Sequence, residues 1–254
     1  MENNHQALFT YCVRLADNAL VLAQRLCEWC GHGPILEEDI AISNMGLDLL
    51  GQSRALYTYA ATLEGAGRTE DDLAFHRNER QFLNRCLVEQ PNGDFAVTMM
   101  KSFLYSSLAY LQFRELSRSK DETLSGIAAK ALKELTYHVR HSSQWVIRLG
   151  DGTDESHQRI SIALQDLWGF TDELFEMDEV DRILIQAGVA CDLEALRSEW
   201  NQMVEEVFGQ ALLSLPSVVG YRSKGGFKGI HTEHLGHMLS EMQYLPRAYP
   251  DAKW

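Results

Sequence analysis

What most constrains this chain is its run of long, nearly proline-free windows of helical period. Proline occurs 5 times in 254 residues, and inside a helix it removes a hydrogen bond and clashes with the preceding turn. From about His5 to Cys30, one apolar stripe is marked by Leu8, Cys12, Leu15, Ala19, Leu22 and Leu26. Gly31-His32-Gly33-Pro34 stops it. Further helical windows run from about Glu37 to Leu63, Asp71 to Arg85, Asp94 to Leu116, Thr123 to Leu149, Thr153 to Phe175, Asp178 to Ala187, Asp192 to Leu213 and Thr232 to Leu245. The acidic Glu37-Glu38-Asp39 suits the positive end of a helix dipole. Thr153 fits an N-cap and Gly188 a C-cap. Glu89-Gln90-Pro91-Asn92-Gly93 reads as a turn and Pro216 to Ile230 as a loop. Strand signals are isolated, at Val139 and Val218-Val219. The expectation is an all-α, four-helix bundle with antiparallel long helices, short connections and additional C-terminal helices. No repeat or linker divides the sequence. Residues 1–254 are therefore read as a single helical domain, with a core bundle over about 5–150 and wrapping helices over about 153–250.

Charge and hydropathy narrow the function. Asp and Glu number 36 against 23 Lys and Arg, a net charge of −13, the opposite of a free-standing nucleic-acid binder. The longest uncharged stretches, Ser102 to Phe113 and Phe208 to Tyr221, are too short to span a membrane, and Pro216 interrupts the second. Met1 to Leu8 holds no basic segment followed by an apolar one. The five cysteines are odd in number and irregularly spaced. Together these features predict a reduced, cytoplasmic setting with no nucleic-acid or membrane partner.

Polar residues that repeat along a bundle helix need an explanation. Asp17, Gln24 and Glu28 share one face, as do Asn44, Asp48 and Gln52 on the second window. Glu134, His138, His141 and Trp145 share a third face, and Gln112 and Glu115 are candidates on another. Carboxylates and histidines on facing helices are the ingredients of a two-metal centre. The spacing fails that test. Such a centre wants Glu-x-x-His on two helices, but Asp48 is followed at that distance by Gly51, and Glu134 by Tyr137. His138 comes one residue late, a rotation of about 100°. Asp17 is short and Gln24 neutral. The expectation is a vestigial, hydrogen-bonded bundle-centre network of Asp17, Gln24, Asp48, Glu134 and His138, with no metal and no cofactor held by this chain.

Other motifs carry less. Cys27-x-x-Cys30 lies near a helix end with no second pair, so packing is its expected use, with a zinc site completed by His32 the alternative. His231-x-x-His234-x-x-His237 covers an arc of about 120° on a helix, a poor fit to one ion and a better one to helix docking. Arg77 and Arg80 precede Phe82. Arg222, Lys224 and Lys228 surround Gly225-Gly226 in a loop that could receive phosphates but lacks the P-loop pattern and is expected to be solvated. No nucleophile elbow or dinucleotide fingerprint occurs.

Ala41-Ile42-Ser43-Asn44-Met45-Gly46-Leu47-Asp48-Leu49-Leu50-Gly51-Gln52 resembles a segment of the C subunits of ring 1,2-phenylacetyl-CoA epoxidases. The likeness extends through Gly31-His32, Asn78-Glu79-Arg80-Gln81-Phe82, Val88-Glu89-Gln90-Pro91-Asn92-Gly93, His231-Thr232-Glu233-His234-Leu235-Gly236 and Glu241-Met242-Gln243-Tyr244-Leu245. This resemblance implies a ferritin-like bundle and a structural partner, itself not catalytic, for the di-iron catalytic subunit of that system, its A component. It also implies a small B component and a reductase, the E component, carrying FAD and an iron–sulfur cluster. That assembly would epoxidise the ring of phenylacetyl-CoA with NADPH and O2. The resemblance further implies contact with the CoA part of the substrate near the subunit boundary, at Arg80, Gln81, Phe82 and Leu83, with a second contact at Asp181, Arg182 and Ile183. The alternative is a di-iron oxygenase or oxidase active in its own right, with a non-standard ligand set of Glu134, His138, His141, Asp48 and Asp17.

Overall fold

A computed structural model describes residues 2–216, 220–250 and 252; Val218 and Val219 lie outside the described residues. Among the described residues, eleven α-helices follow one another: α1 Glu2–Cys27, α2 Leu36–Glu64, α3 Glu70–Phe75, α4 Cys86–Glu89, α5 Phe95–Leu116, α6 Glu122–Gly150, α7 Asp154–Trp168, α8 Glu179–Ala187, α9 Leu193–Gln210, α10 Glu233–Met242 and α11 Tyr244–Ala248. No strand occurs among the described residues, so the all-α expectation holds. The four long helices have 26, 29, 22 and 29 residues, or roughly 33 to 44 Å each.

The helix ends follow local chemistry. Asp94 accepts from the Val97 amide at 3.1 Å and Asp121 from that of Leu124 at 2.8 Å. Thr153 and Ser156 form a capping box, and Gly188 closes α8 in the left-handed region at φ 74°. Two windows are shorter than their periodicity suggests, and in the one from Thr153 to Phe175 α7 stops at Trp168, before a 3-10 turn at Asp172–Phe175. The stretch from Asp71 to Arg85 is not one helix: α3 ends at Phe75, a 3-10 turn spans Glu79–Gln81, and the chain runs extended to α4. Glu89, expected to open a turn, ends α4 fully buried.

The chain forms two compact units. In the unit of residues 1–91 and 225–254, α1 packs along α2, α4 lies on α1, and α10 touches the 3-10 turn at Glu79–Gln81. In the unit of residues 92–224, α5 packs against α6, α7 and α9. Thr98 to Ala109 of α5 are buried without interruption, as befits a helix with neighbours on several sides. Lys101 within that run is fully buried, and its Nζ reaches Asn92 Oδ1 at 3.1 Å. Among the described residues, no helix is long and apolar enough to cross a membrane.

Candidate functional site

The segment Arg80–Leu83 is held by three buried ionisable side chains, each bonded to a different peptide group. Arg77, just past the end of α3, donates from Nη1 to the Gln81 carbonyl at 2.7 Å. The Leu83 amide donates to Asp17 Oδ2 at 2.6 Å. The ring of His231 bonds the Phe82 carbonyl through Nε2 at 2.8 Å. Two residues on, the Arg85 amide donates to Asn18 Oδ1 at 2.8 Å. Phe82 is fully buried, with the Arg77 guanidinium 4.2 Å from its ring centroid. Arg80 is exposed. Its carbonyl faces Gly229 so closely that an added Cβ would lie 2.3 Å from the oxygen. Arg80 also lines a cleft of about 200 Å³ with Glu79, Gly229, His231, Thr232 and Gly236.

Two buried clusters supply this rigidity. Asp17 is fully buried on α1. It receives the Arg77 fork, at 3.0 Å from Nη1 and in close contact from Nη2, together with the Tyr57 hydroxyl of α2 and the Leu83 amide. Burial first, and then the Asp17 charge, push the Tyr57 hydroxyl well above its ordinary range, so it stays a donor. The second cluster surrounds Glu89. Thr232 donates to Oε1 from its amide at 2.6 Å and its hydroxyl at 2.8 Å. Asn84 Nδ2 and His231 Nδ1 each meet Oε2 at 2.9 Å. Arg25 of α1 grips the Glu89 carbonyl through Nε and Nη2, at 3.1 and 2.8 Å, and reaches the His234 carbonyl at 3.2 Å.

The other residues singled out from sequence lie as follows. Gln24 and Asp48 are half-buried in the first unit. In the second, Glu134 is half-buried and His138 almost fully buried on α6. Asp181 turns inward on α8 and accepts the Asp178 amide at 2.9 Å as part of a capping box. Arg182 is exposed and pairs with Glu179 at 3.1 Å, and Ile183 is half-buried. His231 is not on a helix: α10 begins at Glu233, after the N-cap Thr232. The three histidines therefore share no helical face, because His231 is drawn inward by Glu89. The basic loop is anchored, not merely solvated. Phe227 is buried with Arg14, Arg85 and Lys228 over its ring at 4.7 to 5.3 Å, and Arg222 pairs with Asp172. Burial, followed by the charges of Cys30 and Glu28, pushes the Cys27 thiol up, away from a reactive thiolate.

A ferritin-like fold raises the question of two metal ions, and the donors present do not fit them. Each oxygen of Asp17 already accepts more than one hydrogen bond. Gly51 stands where a histidine ligand belongs, and Gln24 carries no charge to offset a cation. Among the described residues, the one group with ligand atoms within 4.8 Å of one another is Cys86, Glu89 and His231. There both carboxylate oxygens and both ring nitrogens are engaged in hydrogen bonds.

Fold and site thus define an all-helical protein of ferritin-like class with a braced surface segment. The family model described as "Phenylacetic acid catabolic protein" matches residues 1–254, and the chain belongs to that family. It is 51% identical over 247 residues to the C subunit of 1,2-phenylacetyl-CoA epoxidase from Escherichia coli (strain K12), covering 97% of this chain and 99% of that protein.

Proposed function

We propose that this chain is the structural subunit of a multi-subunit phenylacetyl-CoA 1,2-epoxidase, pairing directly with a di-iron catalytic subunit. The observation that carries the non-catalytic half of this reading is the commitment of Asp17. A carboxylate that would serve as a metal ligand from α1 is instead the anchor of Arg77, Tyr57 and Leu83. A small further subunit and a reductase bearing FAD and an iron–sulfur cluster complete the assembly in a cytoplasmic setting. Iron then belongs to the catalytic subunit, and NADPH and O2 serve the reaction there.

Two surfaces support this role. Ile35, Leu36, Ile40 and Leu47 expose 52, 72, 52 and 61% of their area along the first half of α2. Apolar side chains grouped this way suit a protein interface, and we seat the catalytic subunit there. The Arg80–Leu83 segment suits the CoA part of phenylacetyl-CoA, because an exposed guanidinium on a fixed backbone is matched to phosphate. The chain's charge of −13 opposes an anionic substrate, so a local cation is required. Arg182 is a second candidate cation, while Asp181 acts within its own helix cap.

The deciding experiment measures iron and turnover in this chain alone and co-purified with the catalytic subunit. Near-zero iron in the isolated chain, and epoxidation only in the complex, support the proposal. About two irons per isolated chain overturn it.

A further inference from the structure

The ring of His231 is 4% exposed and lies between two acceptors, Glu89 Oε2 at 2.9 Å from Nδ1 and the Phe82 carbonyl at 2.8 Å from Nε2. A carbonyl oxygen has no proton to give. Both oxygens of Glu89 already act as acceptors, taking the Thr232 amide, the Thr232 hydroxyl and the Asn84 amide. A neutral imidazole has a single N–H, so one of the two short contacts would set a nitrogen lone pair against an oxygen lone pair in a buried site. We infer that His231 is held as the imidazolium and forms a proton-dependent clasp between the C-terminal segment and the Phe82–Glu89 stretch. That makes it a positioning residue for the Arg80 surface.

The groups around the ring agree with this. From α4 it meets the Glu89 carboxylate, and the Cys86 thiol donates to the adjacent Ile230 carbonyl at 3.4 Å. From α1 come the Asp17 charge and Arg25, whose guanidinium is turned to the Glu89 and His234 carbonyls. Arg77, from the stretch after α3, is paired with Asp17. Glu79 and Arg80 of the 3-10 turn and Glu233 of α10 line the same cleft. Burial opposes the charged ring, but the Glu89 bond and charge, the Phe82 carbonyl and the Asp17 charge outweigh it and hold the ring above its ordinary value.

Other ties of the C-terminal segment do not depend on histidine. Gln243 donates to the Ala74 and Arg77 carbonyls at 3.0 Å, and Arg247 to those of Phe75 and Arg77 at 3.0 and 2.9 Å. The clasp is therefore the link that titrates through a histidine. A ring raised on folding contributes stability fully below its unfolded value of about 6.5, and that contribution is lost as pH rises through the folded value. The clasp itself stands on this geometry; its effect on substrate rests on the proposed CoA contact of Arg80.

The test uses the full chain with ring-labelled histidine, following the nine histidine signals by NMR from about pH 5.5 to about pH 9. His231 is identified as the signal missing in His231→Gln. The expected result is a ring titrating above about 6.5, and a wild-type urea midpoint that falls through the same window while that of His231→Gln does not. Glu89→Gln is expected to move the titration down. If none of the nine wild-type rings titrates above about 6.5, the inference is overturned without any variant. Equal pH slopes for wild type and His231→Gln overturn it as well. Arg80→Ala, assayed in the complex, separates the two readings. It is expected to leave the ring titration in place, so an unchanged KM for phenylacetyl-CoA would remove the substrate contact and not the clasp.

Discussion

Asp17 shows how one buried charge can be too well used to be replaced. Four donors converge on its two oxygens, from Arg77, Tyr57 and the Leu83 amide. Breaking such a pair leaves an uncompensated guanidinium in the interior. Asp17→Ala is expected to cost about 3 to 5 kcal/mol in urea denaturation of the full chain. Asp17→Asn keeps the shape but loses the charge that balances Arg77, and is expected to remain clearly destabilised. The sequence marked Asp17 as a residue requiring an explanation, because it repeats on an otherwise apolar helix. It could not reveal the partners, since Tyr57 and Arg77 lie 40 and 60 positions away. At Arg80 the same brace underlies the proposed CoA contact. Arg80→Ala in a correctly assembled complex is expected to raise the KM for phenylacetyl-CoA several-fold with little change in kcat, as loss of a uniform binding contact does.

At the scale of elements, the segment between α3 and α4 is the informative one. Its composition suits a helix from Asp71 to Arg85, yet it breaks after Phe75. Short-range propensity is outweighed because Arg77 and the Leu83 amide both reach Asp17 and the Phe82 ring fills the core. Gly229 closes the far side of this segment at φ 76°, with the Arg80 carbonyl where a side chain would go. Gly229→Ala forces both a left-handed backbone, costing about 1 to 2 kcal/mol, and a clash with backbone. The variant is expected to lower the urea midpoint and to raise KM through displaced Arg80. An unchanged midpoint would show that this approach is not tight in solution. His231 teaches a related lesson: its three-residue spacing to His234 and His237 suggests a helical face, and a buried carboxylate on α4 pulls it off the helix.

For the whole molecule, the exposed apolar stripe on α2 and the likeness to a protein named as a subunit point in one direction, toward a chain that completes something larger. Leu47→Glu places a charge on the outer face of α2, where Leu47 is 61% exposed. It is expected to leave the isolated chain's stability within about 0.5 kcal/mol and to abolish co-purification with the catalytic subunit. Retained co-purification would move the docking surface elsewhere.

The sequence by itself determined the helical class, the long helices and the caps at Thr153 and Gly188, because those rest on local periodicity and on donors a few residues away. It also showed that the metal-binding pattern is broken, since Gly51 and Tyr137 are visible as letters. Tertiary structure alone decided what the polar residues do instead. Asp17 meets Arg77, and Glu89 meets His231 across 142 positions, because burying a charge demands a partner and the fold, not the local sequence, chooses which one.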